Sequence, residues 1–244
     1  MVDVVLAQTD SIINFSLHPA IKWHVLQIGV EKTPVILVDN FLADINMLRQ
    51  FALTADFQQE KITYYPGVRA PLVNAYIDFV LNQLAPVISK IYQLKPINML
   101  AADQGFYSLV NKKAKNLNKH QCIPHFDSLN KRQFAIMHYL NSGEFGGTGF
   151  YRHLPTGFEH IEQDNLALYQ MARTQFEYEH GQPDKTYINQ STDEFKLLGK
   201  IAYKLNRLVV YPGTLLHSGL IQQADLSSDP NKGRLTANIF AEVK

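Results

Sequence analysis

From about residue 100 onward the chain is a train of short segments rich in β-branched and aromatic residues, each closed by turn residues. They are "QGFYSLV", "QCIPHFDS", "RQFAIMHYLN", "GTGFYRHL", "NRLVVYPGTLLHSG" and "GRLTANIFAEV". Parallel strands need a crossover of a dozen or more residues between them, whereas most of these segments follow one another directly. The pattern therefore predicts an antiparallel sandwich or barrel, not a parallel α/β sheet. The break in the train, residues 155–204, reads as an insertion. Within it "IEQDNLALYQMARTQFEYE" suits an amphipathic helix and "HGQPDKTYINQSTDE" an exposed loop. Such an insertion serves as a lid or as a homodimer contact.

The first hundred residues differ. "WHVLQIGV" (23–30) and "PVILVDN" (34–40) read as strands. A helix is expected through "FLADINMLRQFALTADF", capped by Asp39 or Asn40, with Phe41, Ile45, Leu48 and Ala52 on its buried stripe. "YYPGVRAP" (64–71) reads as a loop. A second helix follows, with Val73, Tyr76, Val80, Leu84 and Val87 on one face and a kink or division near Pro86. The expected architecture is α+β, with helices packed on a β core.

Composition narrows the function classes. A net charge of +1 in 244 residues gives no electrostatic case for nucleic acid or an anionic membrane. The single cysteine, Cys122, excludes an internal disulfide framework and any all-thiolate metal site, and suits a reducing compartment. The leading "MVDVVLAQTDSIINF" lacks a basic region before an apolar core, so it does not read as a secretory signal, and no apolar run reaches membrane-spanning length. A cytoplasmic location is expected.

The chemistry-bearing residues cluster in the strand train. In "IPHFDS", His125 and Asp127 are two positions apart. In an extended strand their side chains leave on one face, so one ion can be gripped by both, although two near neighbours with no shared role fit equally. A facial two-histidine, one-carboxylate set suits non-haem Fe(II) and needs a second histidine from a later strand. The candidates are His138, His153, His160, His180 and His217. His160 and His180 lie in the polar insertion and read as solvent-facing. His138 alternates with Phe134, Ile136 and Leu140 and reads as packed against the helices. His217, delivered by "RLVVYPGTLLH" to a bend, stands out. In "GRLTANIF", Arg234, Thr236 and Asn238 share a face by the strand period. A barrel-interior arginine is costly unless it meets a carboxylate, and an exposed terminal strand is the alternative.

The order H-x-D, distal histidine, arginine resembles the Fe(II)- and 2-oxoglutarate-dependent oxygenases, especially the prolyl-4-hydroxylase-like branch. "HYLNSGEFGGTGF" (138–150), "NRLVVYPGTLLHS" (206–218) and "GRLTANIF" (233–240) carry the likeness beyond the three ligands, with "PVILVDNFL" similar to the opening of such domains. "YPGVRAP" is similar to a stretch in a bacterial subgroup of undetermined function. The resemblance implies a double-stranded β-helix (jelly-roll, cupin-like) core at 100–244. It also implies supporting strands and helices at 1–99, in one domain over 1–244. Fe(II) would be held by His125, Asp127 and His217, and 2-oxoglutarate by Arg234, Thr236 and Tyr139. Hydroxylation of a C–H bond in a small-molecule or peptide substrate, with release of succinate and carbon dioxide, would follow. Tyr139 can equally be a packed core tyrosine. Arg69 is a candidate second anion anchor, and Tyr151, Arg152 and His153 are candidates to approach the pocket; each also reads as turn or surface structure. Two departures stand: Arg234 lies farther beyond His217 than is usual, and the insertion lengthens the interval from Asp127 to His217. A cupin-like metal protein without 2-oxoglutarate chemistry, either a Lewis-acid enzyme or a binding module, is the alternative.

Overall fold

The computed structural model describes residues 14–60, 64–94, 99–102 and 105–244. The expectation about a secretory signal falls on residues 1–15 and so lies almost wholly outside them. Strands β1 (Lys22–Ile28) and β2 (Thr33–Asp39) form a hairpin, followed by helix α1 (Ile45–Thr54), strand β3 (Gly67–Pro71) and helix α2 (Asn74–Ile91). Then come β4 (Leu100–Ala101), β5 (Gly105–Val110), β6 (Gln133–Tyr139), β7 (Thr148–His153), helix α3 (Leu166–His180), β8 (Phe195–Ile201), β9 (Leu208–Pro212), β10 (His217–Gly219) and β11 (Leu235–Val243). The larger sheet runs β1-β2-β9-β6-β11-β5-β3 with β4 also on β11, and the smaller runs β10-β7-β8. Every named pairing is antiparallel. The fold is thus mixed, β-rich and antiparallel.

Alternation along the central strands separates two apolar layers. Ile36, Val38, Phe134, Ile136, Leu208, Val210, Ala237 and Ile239 join the cluster that packs on the helices. Their neighbours Val35, Leu37, Ala135, Tyr139, Val209 and Tyr211 pack instead with Phe150 and Ile201 of the smaller sheet. Burial on both faces is why "VILV" and "LVVYP" are unbroken apolar runs with no polar alternation. Among the described residues no helix is long and apolar enough to cross a membrane.

Several elements differ from expectation. Helix α1 starts at Ile45, capped by Asp44, whose carboxylate accepts from Asn46 N at 2.9 Å. Asp39 cannot cap because Arg207 and Lys204 occupy its oxygens, at 2.6 and 2.9 Å, and hold its carboxyl down at about 2. Helix α2 continues through Pro86 undivided, and Ile88 fills the buried position expected of Val87. "GVRAP" is strand, not loop: it pairs with β5 at the sheet edge, where Pro71 closes the strand without costing an interior ladder bond. The supposed insertion contains β8, which pairs along β7, and its loop buries Tyr187 and Ile188.

His138 joins the two layers of helix and sheet, as its face predicted. Its Nδ1 lies 2.7 Å from Tyr76 Oη and its Nε2 3.0 Å from Asn206 Oδ1. Asn206 Oδ1 also accepts from Leu42 N at 2.9 Å, so the proton belongs on Nε2 and Tyr76 donates to Nδ1. Burial pushes the His138 pKa down from 6.5 to about 4. Between these values the unfolded chain binds the proton and the folded chain does not, so stability falls as pH drops through that window. The expected contribution is about 3 kcal/mol. Urea unfolding of wild type and His138→Gln from pH 7 to pH 4 checks it. The difference in stability between the two should shrink steadily toward acid, and a constant difference would refute the assignment.

Candidate metal centre and its cavity

The segment carrying His125 and Asp127 is not a strand. After two short helical turns it is irregular, and its one ladder contact is with β10. There His125 N donates to His217 O at 2.9 Å and His217 N donates to His125 O at 2.8 Å. This reciprocal pair places the two residues directly opposite each other, and their ring centroids lie 4.3 Å apart. Asp127 N and Ser128 N both donate to Gly213 O, at 2.7 and 3.1 Å, fixing the next turn of chain on the end of β9. The i, i+2 geometry expected of a strand is therefore reached through two anchoring points.

One donor atom from each of His125, Asp127 and His217 falls within 4.8 Å of the others. His217 Nε2 is 3.4 Å from Asp127 Oδ2, and His125 Nε2 is 3.8 Å from Asp127 Oδ1. Bonds of about 2.1 Å to one ion would put donors at right angles roughly 3 Å apart, so a small closure suffices. Leu215 O accepts from His217 Nδ1 at 2.8 Å, and a carbonyl can only accept. The Nε2 lone pair is thereby turned toward Asp127, as a second-layer partner turns a metal ligand. Asp127 Oδ2 is enclosed and has no hydrogen-bond partner among the described residues. An unsatisfied buried carboxylate oxygen between two imidazole lone pairs fits a divalent cation.

Burial sets the protonation states. It pushes His217 and His125 down to about 4, His125 with help from neighbouring His217, and it raises Asp127. His125 is walled in by protein yet has 53% of its side-chain surface open to the cavity, so water relieves part of its desolvation; His217, at 4%, is dry. Both imidazoles are neutral at pH 7, the state a ligand needs.

The three side chains line a cavity of about 1110 Å³, which Arg234, Thr236 and Asn238 also line. Arg234 is 3% exposed. Its Nε donates to Gly146 O at 2.6 Å and its Nη2 to Gly147 O at 3.1 Å. The glycine pair explains itself here. A Cβ at Gly146 would stand 1.7 Å from Leu220 O, and one at Gly147 1.8 Å from Ile201 O, so only glycine lets these carbonyls reach the guanidinium. Buried Asp225 accepts from Gly146 N and Gln222 N and holds the turn. Among the described residues no carboxylate is in ion-pair contact with Arg234. Tyr139 and Tyr203 flank it, each ring centre 5.7 Å from its guanidinium carbon. Tyr139 Oη meets Thr148 Oγ1 at 2.8 Å, and the residue is fully buried behind the cavity wall.

The other candidates go elsewhere. His153 is buried against Glu194 and Thr156, and Arg152 donates to Gly157 O. Tyr151 Oη donates to Ile188 O. His160 is not solvent-facing: Thr33 and Thr214 clasp it on both ring nitrogens, each at 2.7 Å. His180 is exposed, as expected. Arg69 does line the cavity, over the rings of Tyr65 and Phe106. Sequence reasoning missed Tyr65, Tyr211 and the inner side of α3 (Leu166, Tyr169, Arg173), all cavity-lining. Tyr211 could have been found by alternation with Val209, while α3 carries no signal that separates a cavity wall from a surface helix.

Residues 19–241 match the family of unknown function DUF6445. The chain belongs to that family. No curated protein matches the sequence. In structure the chain is similar to HygX from Streptomyces hygroscopicus with nickel, 2-oxoglutarate and hygromycin B bound. That likeness has a TM-score of 0.49 at 12% identity, over 87% of this chain and 84% of that one. It is also similar to HygX with iron bound, at a TM-score of 0.41 and 12% identity over 87% and 83% of the two chains.

The donor geometry predicts one tight divalent site. Calorimetric titration of the chelator-stripped protein with Zn(II) should give one equivalent, and His217→Ala or Asp127→Asn should weaken it by about a hundredfold or more. Unaltered affinity in both variants would place the ion elsewhere.

Proposed function

We propose that this chain is an Fe(II)- and 2-oxoglutarate-dependent oxygenase of the prolyl-4-hydroxylase-like branch. Its two-sheet core is then read as a double-stranded β-helix within one domain over 1–244. One observation carries the reading. A single cavity is lined both by a two-histidine, one-carboxylate donor set and by a buried arginine that meets no carboxylate of its own. Hydrolysis or isomerisation at a metal does not by itself require the second feature.

His125, Asp127 and His217 would hold the ion, leaving the cavity side open for exchangeable ligands. Bound Fe(II) with 2-oxoglutarate would supply activation of dioxygen, the oxidant: one oxygen atom would pass to succinate as carbon dioxide is released, and the other would hydroxylate a C–H bond of the substrate. The remaining work belongs to the chain's own side chains. Arg234, held in orientation by the Gly146 and Gly147 carbonyls, would bind the distal carboxylate of 2-oxoglutarate, with the Thr236 hydroxyl beside it. Tyr139 would act through its ring, which backs the guanidinium, and its hydroxyl would need to leave Thr148 to reach the carboxylate directly. Ala135, Met137 and Phe240 give the cavity an apolar floor that limits water near the reacting groups.

The test is anaerobic titration with Fe(II) and then 2-oxoglutarate, following the weak visible charge-transfer band of the chelate. The band should appear in wild type and be absent in His125→Ala. Arg234→Met should need about 10- to 100-fold more 2-oxoglutarate, the worth of one charge-assisted contact. Metal binding without a band in wild type would overturn the oxygenase reading in favour of a Lewis-acid metal site.

A further inference from the structure

The cavity wall holds more positive charge than one co-substrate needs. Lys119 is paired with Glu177 at 2.9 Å, and Arg173 with Glu194, so both are spoken for. Arg234 is the guanidinium assigned above to 2-oxoglutarate. Arg69 remains. Register places Arg69 opposite Ser108, and Ser108 opposite Thr236, in one row across β3, β5 and β11. At two inter-strand steps, Arg69 stands about 10 Å from Thr236 on the same face of the sheet. Arg69 therefore enters the chamber from a different strand than Arg234, at the other end of the row.

The state of this guanidinium is unusual for a structural one. Its Nη1 donates to Glu60 at 3.2 Å. Its Nε is enclosed without an acceptor, and Nη2 has no hydrogen-bond partner among the described residues. The guanidinium carbon lies over two aromatic rings, 4.5 Å from the centre of Tyr65 and 5.2 Å from that of Phe106. Its side chain is 16% exposed and that of Glu60 31%, so the pair is open to solvent on the acid's side. A pair of this kind adds little stability, while an unsatisfied, pre-oriented guanidinium makes a strong receptor for an oxyanion. Arg69's backbone is fixed as well, exchanging hydrogen bonds with Gln58 at 2.8 and 2.9 Å.

We propose that Arg69 is the substrate anchor, and that the substrate is an organic acid. Its carboxylate sits on Arg69 while its body lies along the aromatic wall of Tyr65, Phe106 and Phe126 toward the metal ligands. This rests on the oxygenase reading, in which Arg234 is already occupied by the co-substrate.

The experiment uses protein loaded with Zn(II) and 2-oxoglutarate, which binds without turnover. Saturation-transfer NMR is run against a panel of aryl and alkyl carboxylic acids, N-acetyl amino acids included, each beside its primary amide. Acids should bind at least about tenfold tighter than their amides, the worth of one charge-assisted contact. Arg69→Gln should abolish that preference, and Arg69→Lys should restore part of it. Glu60→Gln should act in the opposite direction, tightening the acids about two- to fivefold by removing a competing carboxylate. If Arg69 and Glu60 merely strap two segments together, both substitutions weaken binding alike, and the proposal fails. It fails equally if acids and amides bind the same, or if no acid binds. 2-Oxoglutarate affinity is measured in every variant. Its loss in Arg69→Gln would move Arg69 into the co-substrate site and overturn the assignment. Its absence in wild type would be a failure of the oxygenase reading instead, and the acid panel on the Zn(II)-loaded protein would still decide Arg69.

Discussion

The two hydrogen bonds exchanged between the backbones of His125 and His217 are the joint on which the site depends. His217 begins β10 of the smaller sheet, while the chain beyond His125 runs on to β6 in the middle of the larger one. The joint therefore ties the two sheets at the cavity wall. Because the contact is backbone to backbone, it survives any choice of side chain and leaves both imidazoles free for other work. Asp127 gains its place from a different anchor, Gly213 O, so the three donors are fixed by the ends of two strands and no single loop sets the geometry.

The second constraint is electrostatic. Inside the cavity the donor set and Arg234 are each left incomplete among the described residues: Asp127 keeps a buried oxygen without a hydrogen-bond partner, and Arg234 keeps a buried charge without a counter-ion. Either would be a serious cost in a closed core, where an unpaired buried charge is worth several kcal/mol against folding. The fold lowers the cost for Arg234 with two carbonyls and two aromatic faces. It leaves a remainder that a cation on one side and an anion on the other would remove together. Binding of the two is thereby coupled to stability, since each neutralises a charge that the apo protein holds at a penalty.

Legibility in the sequence followed from whether a side chain or the backbone does the work. H-x-D stood out as a close pair and Arg234-Thr236-Asn238 as one face by spacing, but the backbone anchors on Gly213 and His217 that bring the irregular His125–Asp127 segment into position leave no spacing signal. His138 was readable as a core residue because its neighbours at even spacing are all apolar. The strand at "GVRAP" was hidden by its proline and its glycine, which mark loops in most contexts and are tolerated here because an edge strand needs only one partner. Strand β8, "FKLLGKI", is half-buried along most of its length and shows neither clean alternation nor a continuous apolar run. The roles of Gly146 and Gly147 were least legible of all, because a carbonyl that holds an arginine leaves no trace in the residue name except the absence of a side chain.

Helix α3 illustrates how one element can serve the cavity without contributing to its chemistry. Its inner residues line the chamber, yet only Tyr169 on it is buried, so packing alone holds it weakly. It is held instead at two charged points, Lys119 to Glu177 and Arg173 to Glu194, the second of which is buried beside His153. The first lies at the surface and is worth little; the second, with Glu194 at 8% side-chain exposure, is the costlier to break. The helix is therefore anchored firmly at the Arg173 side toward β8 and loosely where Glu177 meets Lys119 across the cavity. The position of this wall relative to the metal donors thus rests on the Arg173–Glu194 pair more than on the Lys119–Glu177 pair.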